Sequence, residues 1–255
     1  DGGKGGGPSP VTPADVADRG APSSSSAAAP GRSEAQVDSD DDIDPVLTAW
    51  EQLEPQKQAQ KVTRQLWLGP LQVASNPAFL GLLGVDSCVS LLADPAEFER
   101  VAAPRKALFQ VEDSVDAELS MASSLAPAIE HIYAEIAAGH TVLVHCQSGI
   151  SRSATAAIAY LMACRGYDLM AAYSRVFEKR PCINPNDGFF RALQQYECST
   201  LGIEKDAAQR RADEQEYHAH QLASQLAWAS VTLAQARRAL YQARGDAAAA
   251  ASELL

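Results

Sequence analysis

The stretch Val144-His145-Cys146-Gln147-Ser148-Gly149-Ile150-Ser151-Arg152-Ser153 constrains this chain more than any other part of it. Before it runs Thr141-Val142-Leu143-Val144, β-branched and apolar without polar alternation, the pattern of a central strand buried on both faces. After it, Ser153 to Cys164 carries the apolar spacing of a helix, which starts at about Arg152. A buried strand, a short turn and a helix in that order converge the turn's backbone N–H groups on one point, and the helix N-terminus adds partial positive charge. Gly149 permits a backbone conformation that other residues resist. The expected product is an anion cradle built from Gln147, Ser148, Gly149, Ile150, Ser151 and Arg152.

Two side chains point into such a cradle. Arg152 offers a planar fork that binds two phosphoryl oxygens at once. Cys146 stands beside the helix N-terminus and that guanidinium, surroundings in which thiols ionise readily and become nucleophiles. Ser153 can donate a hydrogen bond to the sulfur and ease its departure in a second step. A Cys six residues before an Arg also arises by chance, and buried Cys is commonly a small hydrophobe. Here, however, the pair comes with a preceding His, a central Gly and flanking Ser residues. None of Cys88, Cys164, Cys182 and Cys198 has an Arg six positions on.

The formal net charge of -11 argues against a nucleic-acid binder that relies on phosphate neutralisation. The acidity is uneven: residues 61–202 carry 11 Lys/Arg against 14 Asp/Glu, so most of the excess lies in the flanks. An anion site in the middle must therefore depend on local geometry. The cysteine number is odd and no CxxC pair occurs, which fits free thiols in a reducing, intracellular compartment, cytoplasmic or nuclear. No apolar run suits a membrane span. The sequence opens Asp-Gly-Gly-Lys, which leaves a removed targeting peptide open.

Three regions are expected. Residues 1–60 read as a mostly disordered flank rich in Gly, Pro, Ser and Ala, with an acidic run from Asp38 to Asp44. Order is expected from about Val62, and residues 61–202 form the catalytic domain. Leu66 to Pro70 reads as a strand, Asn76 to Leu83 as a capped helix, and Asp86–Leu92 and Ala107–Val111 as strands. Leu119 to Ala138, 168–179 and 188–199 read as helices, so strands alternate with helices in an α/β layered domain. Residues 203–255 read as an Ala-rich helical extension with a sparse stripe at Leu222, Leu226, Ala229, Val231, Leu233 and Leu240, suited to weak self-association or partner contact. His218 and His220 are two apart and face different sides of a helix, so no metal site is expected there.

His145-Cys146-x-x-Gly149-x-Ser151-Arg152-Ser153, followed by Ala154-Thr155 and Ala159-Tyr160-Leu161-Met162, closely resembles the dual-specificity subgroup of protein tyrosine phosphatases. Leu66-Trp67-Leu68-Gly69 with Ala74 and Asn76 resembles the family's opening, and Ile183-Asn184-Pro185-Asn186-Asp187-Gly188-Phe189 its closing motif. The resemblance covers about residues 61–201 and implies a central mixed sheet flanked by helices. It implies a metal- and cofactor-independent enzyme that works through a phosphocysteine on Cys146. By the same resemblance His145 is an orienting residue that favours the thiolate, and Asn184 and Asn186 support the cradle from outside. The required general acid is an Asp on a loop upstream. Val111-Glu112-Asp113-Ser114 resembles that loop, which favours Asp113, with Asp116 the competitor.

The turn lacks the lysines of phosphoinositide-directed relatives, so the expected substrate is a phosphoprotein, a kinase among the candidates, carrying phosphotyrosine and phosphoserine/threonine. The small "atypical" enzymes are the nearer comparison. The alternatives are a phosphoprotein-binding scaffold with little turnover, or a phosphatase for glucan or RNA phosphate. Cys88 reads chiefly as a packed core thiol, with an oxidative disulfide to Cys146 as the alternative.

Overall fold

In the computed structural model, which describes residues 44–255, five strands form one sheet. They are Gln60–Lys61 (β1), Leu66–Pro70 (β2), Ser87–Leu92 (β3), Arg105–Gln110 (β4) and Val142–Cys146 (β5), ordered β1-β2-β5-β3-β4. β1 pairs antiparallel with β2, and every other pairing is parallel, so the sheet is mixed. β5 lies in the middle with all of its residues buried, as an apolar run without alternation requires.

Successive residues of each strand serve opposite faces. Leu66, Leu68, Val89, Leu91, Val142 and Val144 pack on one face against Glu118–Ala137 (α5), Arg152–Arg165 (α6), Leu169–Lys179 (α7) and Asp187–Ser199 (α8). Trp67, Cys88, Leu92 and Leu143 pack on the other, with Pro45–Glu51 (α1), Leu71–Ala74 (α2), Pro77–Leu83 (α3) and Pro95–Glu99 (α4). Asn76 caps α3 by accepting from the amides of Ala78 and Phe79, and Pro77 occupies its first turn. The parallel strands run so that their C-terminal ends open at one edge, the edge where ligands bind in open α/β sheets. The expected α/β fold with a central mixed sheet is the one observed.

Two features differ from the sequence reading. Helix α1 lies inside the stretch expected to be a flank. Its Trp50 packs edge-on against Phe79 at 5.3 Å, and the Gln58 side chain donates to the carbonyls of Trp50 and Leu53. Two turns of helix with few apolar residues carry little periodic signal, so only the surface they dock on reveals them. The acidic run lies outside the described residues apart from Asp44.

The C-terminal extension is three helices, Ala207–Gln225 (α9), Leu233–Gln242 (α10) and Ala247–Leu254 (α11). The first break comes without Gly or Pro. Ser230 adopts a left-handed conformation at φ 59°, and Thr232 then opens α10 with a capping box to Gln235. Leu222, Leu226, Leu233 and Leu240 pack with Ala219, Ala236 and Ala250 between these helices, so the sparse stripe is covered within the chain. Among the described residues no helix is long and apolar enough to cross a membrane.

Candidate active site

The turn between β5 and α6 is held from outside by its carbonyl groups. The Gln147 carbonyl accepts from the Leu71 amide at 3.2 Å and the Ile150 carbonyl from the Asn184 amide at 2.9 Å. Between them, the Ser148 and Gly149 carbonyls accept from Arg180 Nη2 and Nε at 3.0 and 2.7 Å. Four consecutive carbonyls thus face away from the turn's interior, which leaves its amide side for an anion. Gly149 has φ +68°, and a Cβ there would lie 2.5 Å from the Gly69 carbonyl. This position therefore needs glycine both for its conformation and for the close approach to β2.

Arg180 was not among the residues singled out from the sequence. It is 1% exposed, and its remaining donors reach the carbonyls of Gln56 and Gln58 at 2.8 Å each and Gln60 Oε1. Burial pulls its pKa below the usual arginine value, partly offset by the neighbouring Cys182 and Cys146 sulfurs. One signal was present in the sequence. The buried face of α7 is Leu169, Ala172, Tyr173 and Val176, and Arg180 continues that same stripe. A charge on an apolar stripe marks a buried polar anchor.

Cys146, 1% exposed, lies at the base of the turn. Its Sγ accepts from the Gly149 amide and from Ser153 Oγ, both at 3.2 Å. His145 points to the opposite face of the strand and bonds Ser90 Oγ through Nε2 at 2.7 Å. Burial drives its pKa down to about 4, against some support from the Cys146 carbonyl. The imidazole is therefore held neutral at physiological pH, bonded to Ser90. Cys88 pairs with Leu143 in the β3–β5 register and shares the face of Leu143 and His145, not that of Val144 and Cys146. That register leaves the two thiols on opposite faces, so the Cys88–Cys146 disulfide is ruled out without backbone rearrangement. Burial also pushes the Cys88 thiol up to about 12, so it is a packed core thiol.

Arg152 reaches from the start of α6 toward the loop after β4. Nη1 donates to the Val111 carbonyl at 3.2 Å, and Nε lies 3.5 Å from Asp113 Oδ2. That Nε is buried and has no hydrogen-bond partner, a donor suited to a phosphoryl oxygen. Asp113 itself is 39% exposed at its side chain; its Oδ1 accepts from Ser151 Oγ at 2.7 Å and Asn186 Nδ2 at 3.2 Å. Asp116 lies in the following 3-10 turn, its amide bonded to Ser114 Oγ. The loop is backed by Gly188, where a Cβ would sit 2.1 Å from the Val115 carbonyl. Asn184 contributes its amide to the turn, while its buried Oδ1 is unpaired. Cys146, Arg152, Ser153, the turn, Asp113, Asn184 and Asn186 are all brought together at one edge of the sheet.

A family profile described as dual specificity phosphatase, catalytic domain, matches residues 66–199. Human dual specificity phosphatase 28 is 34% identical over 137 residues, covering 54% of this chain and 76% of that protein. Among solved structures, human DUSP28 superposes with a TM-score of 0.51 at 32% identity, covering 57% of this chain and 95% of the other. The human tyrosine phosphatase-like serine/threonine/tyrosine-interacting protein also gives 0.51, at 30% identity over 57% of this chain and 99% of the other. The chain belongs to the dual specificity phosphatase family. These are cysteine-based protein phosphatases, which hydrolyse phosphomonoesters through a phosphocysteine intermediate.

Two outcomes are expected. Replacing Arg180 by Met leaves several acceptors without donors and lowers stability by about 3 kcal/mol or more in urea unfolding. It also abolishes vanadate binding, because the turn's carbonyls are released. His145 contributes full stability above its unfolded value near 6.5, and this is lost as pH falls toward about 4, because the unfolded chain binds the proton first. The loss is on the order of 3 kcal/mol, and a His145→Gln variant should show a flatter fall between pH 7 and 4.5.

Proposed function

We propose that Cys146 is the nucleophile, Arg152 and the turn amides the phosphate clamp, and Asp113 the general acid and base of this phosphatase. In the first step the Cys146 thiolate attacks phosphorus. The ester P–O bond breaks with its electron pair on the departing oxygen, which takes the Asp113 proton. In the second step water attacks the phosphocysteine and gives its proton to Asp113. The P–S bond then breaks, Ser153 stabilises the returning thiolate, and inorganic phosphate leaves. The observation that carries this reading is the placing of Asp113 within 3.5 Å of the Arg152 guanidinium while Cys146 Sγ receives two hydrogen bonds at the base of the same turn.

The substrate is a phosphoprotein. The side chains of Gln147, Ser148 and Ile150 bring no cation to the rim of the turn, which favours a phosphorylated side chain over a polyphosphorylated headgroup. Beside the turn lies a cleft of about 490 Å³, lined in part by Gln56, Lys57, Gln72, Arg100, Gln147 and Ser148. Lys57 and Arg100 favour acidic residues flanking the phosphorylated one in the substrate, within reach of surface-strength ion pairs only. A pure phosphoprotein binder, the alternative raised by the interacting-protein relative, would need the clamp but neither the Ser153–Cys146 hydrogen bond nor an acid above it.

The test is hydrolysis of 4-nitrophenyl phosphate without added metal, with and without vanadate. Wild-type turnover that vanadate blocks and Cys146→Ser abolishes is expected. Asp113→Asn should lower turnover by about 10²–10⁴ while vanadate still binds, and Asp116→Asn should stay within about threefold of wild type. No turnover from folded, reduced wild-type protein would instead favour the binder, and loss in Asp116→Asn alone would reassign the acid.

A further inference from the structure

Asp113 is only partly shielded, and its place over Arg152 depends on hydrogen bonds from Ser151 and Asn186 and on the contact of Gly188 with Val115. Asn186 and Gly188 belong to the segment Pro185–Gly188 that opens α8. Asn186 is fully committed, since its Oδ1 accepts the Phe189 amide at 3.0 Å while its Nδ2 reaches Asp113. Arg191, one turn on, pairs with Glu118 at 2.7 Å, which ties α8 to the start of α5 just after the loop.

What holds this segment comes from outside the region matched by the family. Tyr217 of α9 is 2% exposed and stacks on Phe190 at 3.9 Å with rings 8° from parallel. Its hydroxyl lies 2.9 Å from the Pro185 carbonyl and 2.8 Å from Asp187 Oδ1, the two residues on either side of Asn186. Gln221, one turn further along α9, donates to that hydroxyl oxygen and approaches Asp187 Oδ1 at 3.3 Å. Burial and the Asp187 carboxylate push the Tyr217 pKa well up, so the hydroxyl keeps its proton. Helix α9 is itself fixed: His220 is fully buried with its ring edge-on to Tyr173 and Phe177 of α7, at 4.9 and 4.7 Å. Lys205, just before α9, bridges Glu197 and Asp213 at 2.9 and 2.7 Å.

We infer that Tyr217 is a positioning residue for proton transfer: through Pro185 and Asp187 it sets Asn186, and through Asn186 it sets the carboxyl of Asp113. The C-terminal extension is then a working part of the phosphatase and not an appended interaction module. This rests on Asp113 being the general acid. An acid out of place costs most when the leaving oxygen is a strong base and least when it leaves unaided. A merely structural residue lacks that signature.

The measurement is kcat/KM for phenyl phosphate divided by kcat/KM for 2,4-dinitrophenyl phosphate, in the full chain. Tyr217→Phe keeps the stacking on Phe190 and removes only the hydroxyl. Its ratio should fall about fivefold, the effect of about one hydrogen bond's net worth. Asp113→Asn should lower the ratio at least tenfold more. Tyr241→Phe, an exposed tyrosine of α10, should leave the ratio unchanged. A fall in Asp113→Asn with none in Tyr217→Phe overturns the inference and leaves the general acid in place. Equal losses on both substrates in Tyr217→Phe also overturn it, as a stability effect. No fall in either variant removes Asp113 as the acid, and the inference with it.

Discussion

The site depends on one buried cation underneath it. A tight turn can aim its amides at a phosphate only if its carbonyls are satisfied on the other side. Arg180 does this for two consecutive carbonyls and ties them to the backbone of the segment before β1. Each of these acceptors is neutral, so the guanidinium is desolvated without a carboxylate partner. Its charge is spread over five donors in a planar fork, which suits burial among carbonyls far better than a lysine ammonium would. The cation below the turn and Arg152 beside it also give the anion site a positive potential in a chain that is acidic overall.

Above the turn, the loop that carries Asp113 is held by a chain of contacts. Ser151 and Asn186 grip the Asp113 carboxylate, Gly188 meets Val115 without a Cβ between them, and Tyr217 buttresses the far side of the same segment. The groups proposed to carry the chemistry come from the loop after β4, the turn after β5 and the start of α6, and the start of α8 and the body of α9 pack around them. Parallel strands place the first two at one edge of the sheet, and the helices stacked on one face bring the others to it.

Much of this was legible in the residues. The buried strand, the turn and the helix after it could be read from the run Val142 to Cys164. Full burial removes polar alternation from the strand and leaves the helix, buried at every residue from Arg152 to Met162, apolar and Ala-rich all round. Asn76 with Pro77 announced α3. The turn at Ser230 was not legible, because it uses a left-handed serine where glycine would have given the signal. Helix α1 was missed because its two turns owe their stability to Phe79 and its neighbours rather than to their own sequence. The resemblance favoured Asp113 over Asp116 as the acid, but the sequence could not show that Asp113 lies 3.5 Å from Arg152 while Asp116 falls in the 3-10 turn that follows.

The sequence by itself determined the chemistry of the turn: a thiol, a guanidinium and a glycine at spacings that local backbone geometry converts into an anion cradle. Such information is local, carried by neighbours within ten residues, and needs no knowledge of the rest of the chain. Only the tertiary structure decided what supports the cradle. Arg180 lies 34 residues from Cys146 and Tyr217 lies 71. The apolar stripe of α7 hints that Arg180 is buried, but only the folded chain shows which distant groups the two side chains bond, the Ser148 and Gly149 carbonyls for one and Pro185 and Asp187 for the other. The same holds for Cys88, whose thiol could be placed away from Cys146 only once strand register had set which face each residue serves.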